Sequence, residues 1–361
     1  MARIGNREFS RSEIEGRIGD LRQLGGIRHC ELTEGRARGV RAAIVDTGAG
    51  LSFTVLPDRG LDIADCSFKG VGLVYHAPGG IAHPSFHDPS GSEWLRVFFG
   101  GLLTTCGLTY FGDPGRDGDE ELGLHGRYSA QSARQVCDLS RWEGDERVLE
   151  ITGIVEESVL FGDKLRLTRS ICTALGARSL RIHDRVENVG PRPSPFTILY
   201  HVNAGFPLLD EASELLLASR SIEPYDEPAA ARIGEVLGFA APDRHAVGLD
   251  YLHSMAADAE GYTRAAMINR SLAGGLGLSL RYHTASLPFL NEWKMLNEVD
   301  YVVGFEPVNA KIVNRSVLRA EGGLPMLEPG EQREMDIEIG VLEGKREIDA
   351  FAAEVQQILA R

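Results

Sequence analysis

The sequence predicts an all-β protein, one large antiparallel sandwich carrying a few short helices. Three observations point there. Apolar residues recur at period two over many short segments. Forty-two glycines and sixteen prolines are spread rather than clustered, which suits many turns between many strands. No βαβ rhythm interrupts the pattern, so a parallel sheet is not expected.

Taken in order, residues 11–24 place Ile14, Ile18, Leu21 and Leu24 at helical spacing. Ser10 or Ser12 caps them and Gly25-Gly26 ends them, which predicts a short amphipathic helix. The pattern then changes to alternation through Ala43-Ile44-Val45, Leu51, Phe53, Val55, Leu61 and Ile63. The same alternation returns in residues 148–155, 165–172, 179–188, 196–202, 276–282 and 333–342. In LRLTRSIC and SLRIHDRVEN charged residues alternate with apolar ones, so one face is wet and the other buried. Residues 345–359 repeat apolar side chains at Ile348, Phe351, Val355 and Ile358 and predict a C-terminal helix. No fixed-period repeat, low-complexity tract or linker divides residues 1–361, which read as one domain.

The formal charge is 38 − 52 = −14, without a basic cluster, which disfavours nucleic acid and anionic membranes as partners. The five cysteines are odd in number, widely spaced and without a C-x-x-C pair. They suggest neither a disulfide framework nor a zinc signature, and a reducing cytoplasm is the expected compartment. The N-terminus lacks the apolar run of a signal peptide, and no segment reaches the ~20 apolar residues of a membrane-spanning helix.

Candidate chemistry concentrates in residues 288–314, where Trp293, Lys294 and Glu306 fall close together along the chain. Glu306 follows the β-like run YVVGF and precedes an expected turn at Pro307. A carboxylate ending an apolar strand is desolvated and its pKa rises toward that of a general base. On this stretch alone a solvated rim glutamate is an equal reading. Two histidines tip the balance. His125 lies in a glycine-flanked turn, and His201 ends the apolar strand FTILYHV. One histidine in an apolar strand is more often a satisfied core residue, but here two occupy strand–loop junctions together with a matching glutamate. His76, His83 and His87 have a spacing that suits a metal only on a helix, which Pro84 and the neighbouring glycines oppose. There is no G-x-S-x-G elbow and no phosphate-binding glycine spacing, so neither a metal nor a nucleotide cofactor is expected. An indole such as that of Trp293 offers an apolar surface to the CH face of a sugar ring.

The ordered set Leu124-His125-Gly126, Tyr200-His201-Val202-Asn203, Gly304-Phe305-Glu306-Pro307 and Leu327-Glu328-Pro329-Gly330-Glu331 resembles the aldose 1-epimerase (galactose mutarotase) family. The motifs are individually short, and together they span most of the chain. The resemblance implies a β-supersandwich with a carbohydrate site on its concave face and a small sugar as partner. It implies Glu306 as base, His201 as acid and His125 as the residue that positions and polarises the sugar. Two family features are replaced. The Asn-Arg pair upstream of the first histidine is absent from residues 98–106, and the Gly-x-Asp-His segment has Gly248-Leu249-Asp250-Tyr251 as its nearest match. Arg59, Trp293 and Lys294 are the expected replacements for the hydroxyl-reading residues. The implied reaction interconverts the anomers of a free sugar without a cofactor. A sugar-phosphate epimerase, with Arg59, Arg96, Arg127 and Lys294 as an anion pocket, and a non-catalytic sugar sensor are the alternatives. Glu306 and His201 are expected to flank the pocket from opposite sides with a sugar ring between them.

Overall fold

The computed structural model describes residues 2–5 and 7–361. Its centre is a nine-stranded antiparallel sheet against which a seven-stranded antiparallel sheet packs, with a five-stranded sheet formed by residues 26–72 alongside. In the nine-stranded sheet Glu146–Ser158, Lys164–Ala174, Ser179–Asn188 and Gln332–Glu343 are successive neighbours. Strand Lys164–Ala174 alternates between buried and half-buried residues along its whole length, as its sequence requires.

Seven strands of the second sheet build the site and are labelled here in chain order. They are β1 (Thr104–Leu108), β2 (Thr197–His201), β3 (Asn203–Gly205), β4 (Ser219–Pro224), β5 (Leu249–Met255), β6 (Phe289–Leu296) and β7 (Tyr301–Val308). Their spatial order is β4-β5-β6-β7-β2-β1, and β3 also pairs with β7. Alternation sorts their side chains. Ile198, Tyr200, Val303 and Phe305 enter the large core between the sheets, whereas Leu199 and Val308 join a second cluster with Trp94 and Phe98 on the opposite face.

Beneath that sheet lies a fully buried ionic network. The Arg169 guanidinium reaches Asp62 at 2.9 Å and Asp184 at 2.6 Å. Thr105 of β1 accepts from Arg169 and donates to Asp62, and the Tyr200 hydroxyl of β2 donates to Asp184. All three sheets therefore meet on one guanidinium. Burial, only partly offset by Arg169, pushes the Asp62 carboxyl up to about 6.

The chain departs from the sequence reading at two places. In place of one helix over residues 11–24 there is a single turn, Arg11–Glu15, and a separate 3₁₀ turn, Leu21–Gln23. Gly16 and Gly19 weaken the helix between them, and Asp20 restarts the chain by capping Arg22. Ser10 caps the first turn, with Glu13 bonding back to the Ser10 N–H at 2.8 Å. Pro307 likewise makes no turn; β7 continues to Val308. The missing N–H is tolerated because pairing between β7 and β2 is reduced there to Leu199 opposite Val308. The helix Lys345–Leu359 buries Ile348, Phe351, Val355 and Ile358 against the nine-stranded sheet. Among the described residues no helix is long and apolar enough to cross a membrane.

Candidate active site

Strand register brings the candidate residues together. Asn291 of β6 lies opposite Glu306 of β7. The pairs Leu199–Val308 and Asn203–Gly304 place His201 of β2 on the other side of Glu306. Gly304 and Glu306 face the same way because they are two residues apart. The missing side chain at Gly304 leaves room for the pair, because a Cβ there would collide with Glu306 Oε1 and come within 3.2 Å of His201 Cε1.

These residues line a cleft of about 730 Å³, measured with its open mouth. Trp94 and Phe98 stack at 4.6 Å and form one wall, and Trp293 meets His201 edge-on at 5.5 Å. His125 stands 4.7 Å from Trp94 and 5.8 Å from His201, ring centre to ring centre. Its backbone is left-handed, with φ +57°, and its N–H donates to the Gly112 carbonyl at 2.9 Å. The following Gly126 permits this turn, since any Cβ there would strike the carbonyls of Tyr110 and Gly107.

Glu306 and His201 form a close pair, contrary to the expectation that they flank the pocket from opposite sides. Glu306 Oε1 lies 3.0 Å from His201 Nδ1, and both side chains are almost wholly buried. Cross-strand neighbours on one face of a sheet are necessarily adjacent. The angle between them is not that of a hydrogen bond, and both atoms lack a hydrogen-bond partner among the described residues. Glu306 Oε2 accepts from Asn291 Nδ2 at 3.1 Å. Burial holds the Glu306 carboxyl well above the usual range, with the Asp250 charge adding to it and Asn291 opposing. Burial drives the His201 imidazole well below its ordinary value, and that of His125 down to about 4. The site therefore favours uncharged imidazoles and a carboxyl ready to hold a proton.

Of the residues expected to read the sugar, the structure brings only Trp293 to the cleft. β6 is a regular strand, so Lys294 points to the opposite face. There its ammonium bonds the carbonyls of Glu235, Val236 and Gly238 and pairs with Glu292 at 3.1 Å. Arg59 is also buried elsewhere, donating to the carbonyls of Ser129, Ala82 and Val97 at 2.7, 2.8 and 2.9 Å. It supports the wall indirectly, because the same Ser129 accepts from the Trp94 indole at 3.0 Å. His76 pairs with Asp65, and His83 accepts from Ser85 N–H. Among the described residues no cluster of His, Cys, Asp or Glu is placed to hold a metal.

Asn291, Asp113 and Tyr225 line the cleft and were missed by sequence reasoning. Asp250, also in the cleft, was met only as the nearest match to the Gly-x-Asp-His segment and passed over as a site residue because the histidine is replaced by Tyr251. Asn291 was accessible from its place two residues before Trp293, hence on the same face of β6. Asp250 lies opposite Trp293 in β5, and burial pushes its carboxyl up to about 7. Tyr225 donates to Asp113 at 2.6 Å. Among the described residues no Lys or Arg lines the cleft.

The fold is that of the galactose mutarotase-like proteins. A candidate aldose 1-epimerase from Klebsiella pneumoniae superposes with TM-score 0.85 at 24% identity, over 92% of this chain and 87% of that one. A galactose mutarotase-like protein from Clostridium acetobutylicum superposes with TM-score 0.61 at 13% identity, over 88% and 99%. A galactose 1-epimerase from Lactobacillus acidophilus does so with TM-score 0.58 at 12% identity, over 89% and 99%. At these identities the likeness is one of fold. The chain itself belongs to the DUF4432 family, a domain of unknown function whose family model matches residues 37–341. No curated protein matches the sequence.

Proposed function

We propose that the protein is an isomerase of carbohydrate metabolism, an aldose 1-epimerase that interconverts the anomers of a free sugar in a reducing cytoplasm. The observation that carries this reading is the buried Glu306–His201 pair, 3.0 Å apart in an aromatic cleft. The anomeric hydroxyl and the ring oxygen are attached to the same carbon. A base and an acid side by side therefore serve them better than groups on opposite faces of a ring. The reacting form is the charge-separated one, in which ionised Glu306 takes the proton of the anomeric hydroxyl while imidazolium His201 gives its extra proton to the ring oxygen. This leaves a protonated carboxyl and a neutral imidazole, the forms that burial favours. The bond from C1 to the ring oxygen breaks as the C1 carbonyl forms. Rotation about C1–C2 and closure on the other carbonyl face run the transfers backwards. His125 stands beside His201 to polarise the same ring edge, and Trp293 offers its indole to the sugar's CH face.

The sugar-phosphate alternative is the weaker reading, because the cleft carries Asp113, Asp250 and Glu306 and, among the described residues, no Lys or Arg. Arg96 and Arg127, named for an anion pocket, pair instead with Glu93 and Glu120. A sensor without activity has no use for an acid–base pair. Saturation-transfer NMR over a panel of free aldoses and their phosphates tests the three. Accelerated exchange of a free aldose alone is expected. Exchange of phosphates alone would favour the anion reading, and sugar binding without exchange of any aldose would leave a sensor.

Gly304→Ala gives a second test. The added methyl must displace Glu306 or His201, and a displacement of this size costs about 10²-fold in turnover. Exchange at the wild-type rate, with a circular dichroism spectrum also unchanged, would show that the placement of the pair is irrelevant to the chemistry.

A further inference from the structure

Asn291 stands between two carboxyls. Its Nδ2 donates to Glu306 Oε2 at 3.1 Å and to Asp250 Oδ1 at 3.3 Å. A primary amide nitrogen has two hydrogens, so both are committed to carboxyl oxygens. The groups facing this row are His201 from β2, Cys106 from β1, His125 and Asp113 from the loops, and Tyr225 and Asp226 after β4. None of them supplies a fixed positive charge, and Asp113 and Asp226 add negative ones. The charge of Glu292, which also raises the Asp250 carboxyl, is paired with Lys294 on the other face of β6. Two ionised carboxylates sharing one neutral donor in such a cleft repel each other with nothing to compensate.

We propose that Asn291 is a positioning residue that couples Asp250 to Glu306, so that the two carboxyls hold one negative charge and one proton between them at neutral pH. The catalytic consequence rests on the mutarotase reading; the coupling itself does not. By engaging Oε2, the amide leaves Glu306 Oε1 facing His201 Nδ1, the orientation needed for a base beside its acid. By engaging Asp250 as well, it keeps the second carboxyl near enough for its protonation to relieve Glu306. Burial lifts both carboxyls, Asp250 to about 7, which agrees with one of them being protonated at neutral pH.

The test is a ¹³C NMR titration of protein labelled at the Asp and Glu carboxyl carbons, from about pH 4 to about pH 9. Wild type, Asp250→Asn and Asn291→Leu are compared, and Glu306 is assigned by the signal lost in Glu306→Gln. Wild type is expected to show two linked steps separated by more than about one pH unit. Asp250→Asn, which keeps the shape of the side chain, should leave a single Glu306 step at lower pH. Asn291→Leu should raise the Glu306 step by about one pH unit, because a donor that favours the carboxylate is gone. A Glu306 midpoint that is the same in wild type and Asp250→Asn would overturn the proposal even if Asn291→Leu failed to fold. In kinetics the acid limb of the kcat/KM profile should move with the NMR midpoint, whereas a merely structural Asn291 would lower the rate equally at every pH. If wild type exchanges no anomer of any aldose, the proposed activity fails, while the NMR titration still decides the coupling.

Discussion

Glu306→Gln is expected to lower the rate of anomer exchange by about 10²–10⁴-fold while leaving sugar affinity within a few-fold. The amide matches the carboxyl in shape and keeps an oxygen for the Asn291 donor, so the cleft should bind as before. What it lacks is a lone pair basic enough to take the anomeric proton. The measurement is exchange by NMR under saturating sugar, with affinity taken separately from a binding titration. His201→Asn should behave alike, since it removes the acid, whereas His125→Asn should weaken binding as well as turnover. Wild-type exchange in the Glu306→Gln protein would remove Glu306 as the base and with it the proposed mechanism. A fall in affinity with no exchange in wild type would identify a sensor.

The largest effect on stability is expected at Arg169. Arg169→Leu should cost about 3–5 kcal/mol, because it leaves Asp62 and Asp184 buried without their common partner. Urea unfolding should show the loss as a lower midpoint with an unchanged slope. Part of the cost is carried by ionised Asp62, so it should be greatest at neutral pH and shrink as falling pH protonates that carboxyl. The sign follows from linkage. Removing Arg169 takes away the charge that holds the buried Asp62 carboxyl down, so its folded-state pKa rises further. The folded variant then binds more protons than the unfolded chain, and its stability falls as pH rises. Adding Asp62→Asn and Asp184→Asn to Arg169→Leu should recover part of the loss. A deficit that is independent of pH and not recovered would mean that Arg169 acts by packing. Because Thr105 and Tyr200 of this network adjoin the strand ends that carry Thr104 and His201, loosening it should also reduce turnover.

The strands and the chemistry-bearing side chains were legible along the chain. Alternation in LRLTRSIC set Leu165, Leu167 and Ile171 on one face of a strand, and they are buried there. The same period separated Val303 and Phe305 from Gly304 and Glu306. It also placed Trp293 and Lys294 on opposite faces of any regular strand, although it did not say which face held the cleft. The resemblance singled out His125, His201 and Glu306, which share that cleft.

What only the tertiary structure decided was partnership. Lys294 and Arg59 are cations that a local reading sends to a ligand, yet carbonyls distant in sequence consume them. Period two puts Asn291 on the face of Trp293, but that Asp250 stands beside them was set by β5 pairing with β6, which no local pattern specifies. The contact between Glu306 and His201 depends on β7 lying beside β2 and on the missing side chain at Gly304. Period two reports which residues of one strand share a face. Which strands become neighbours, and which face meets solvent, is set by burial of the whole sheet against its partner, and that free energy is shared among residues far apart in the chain.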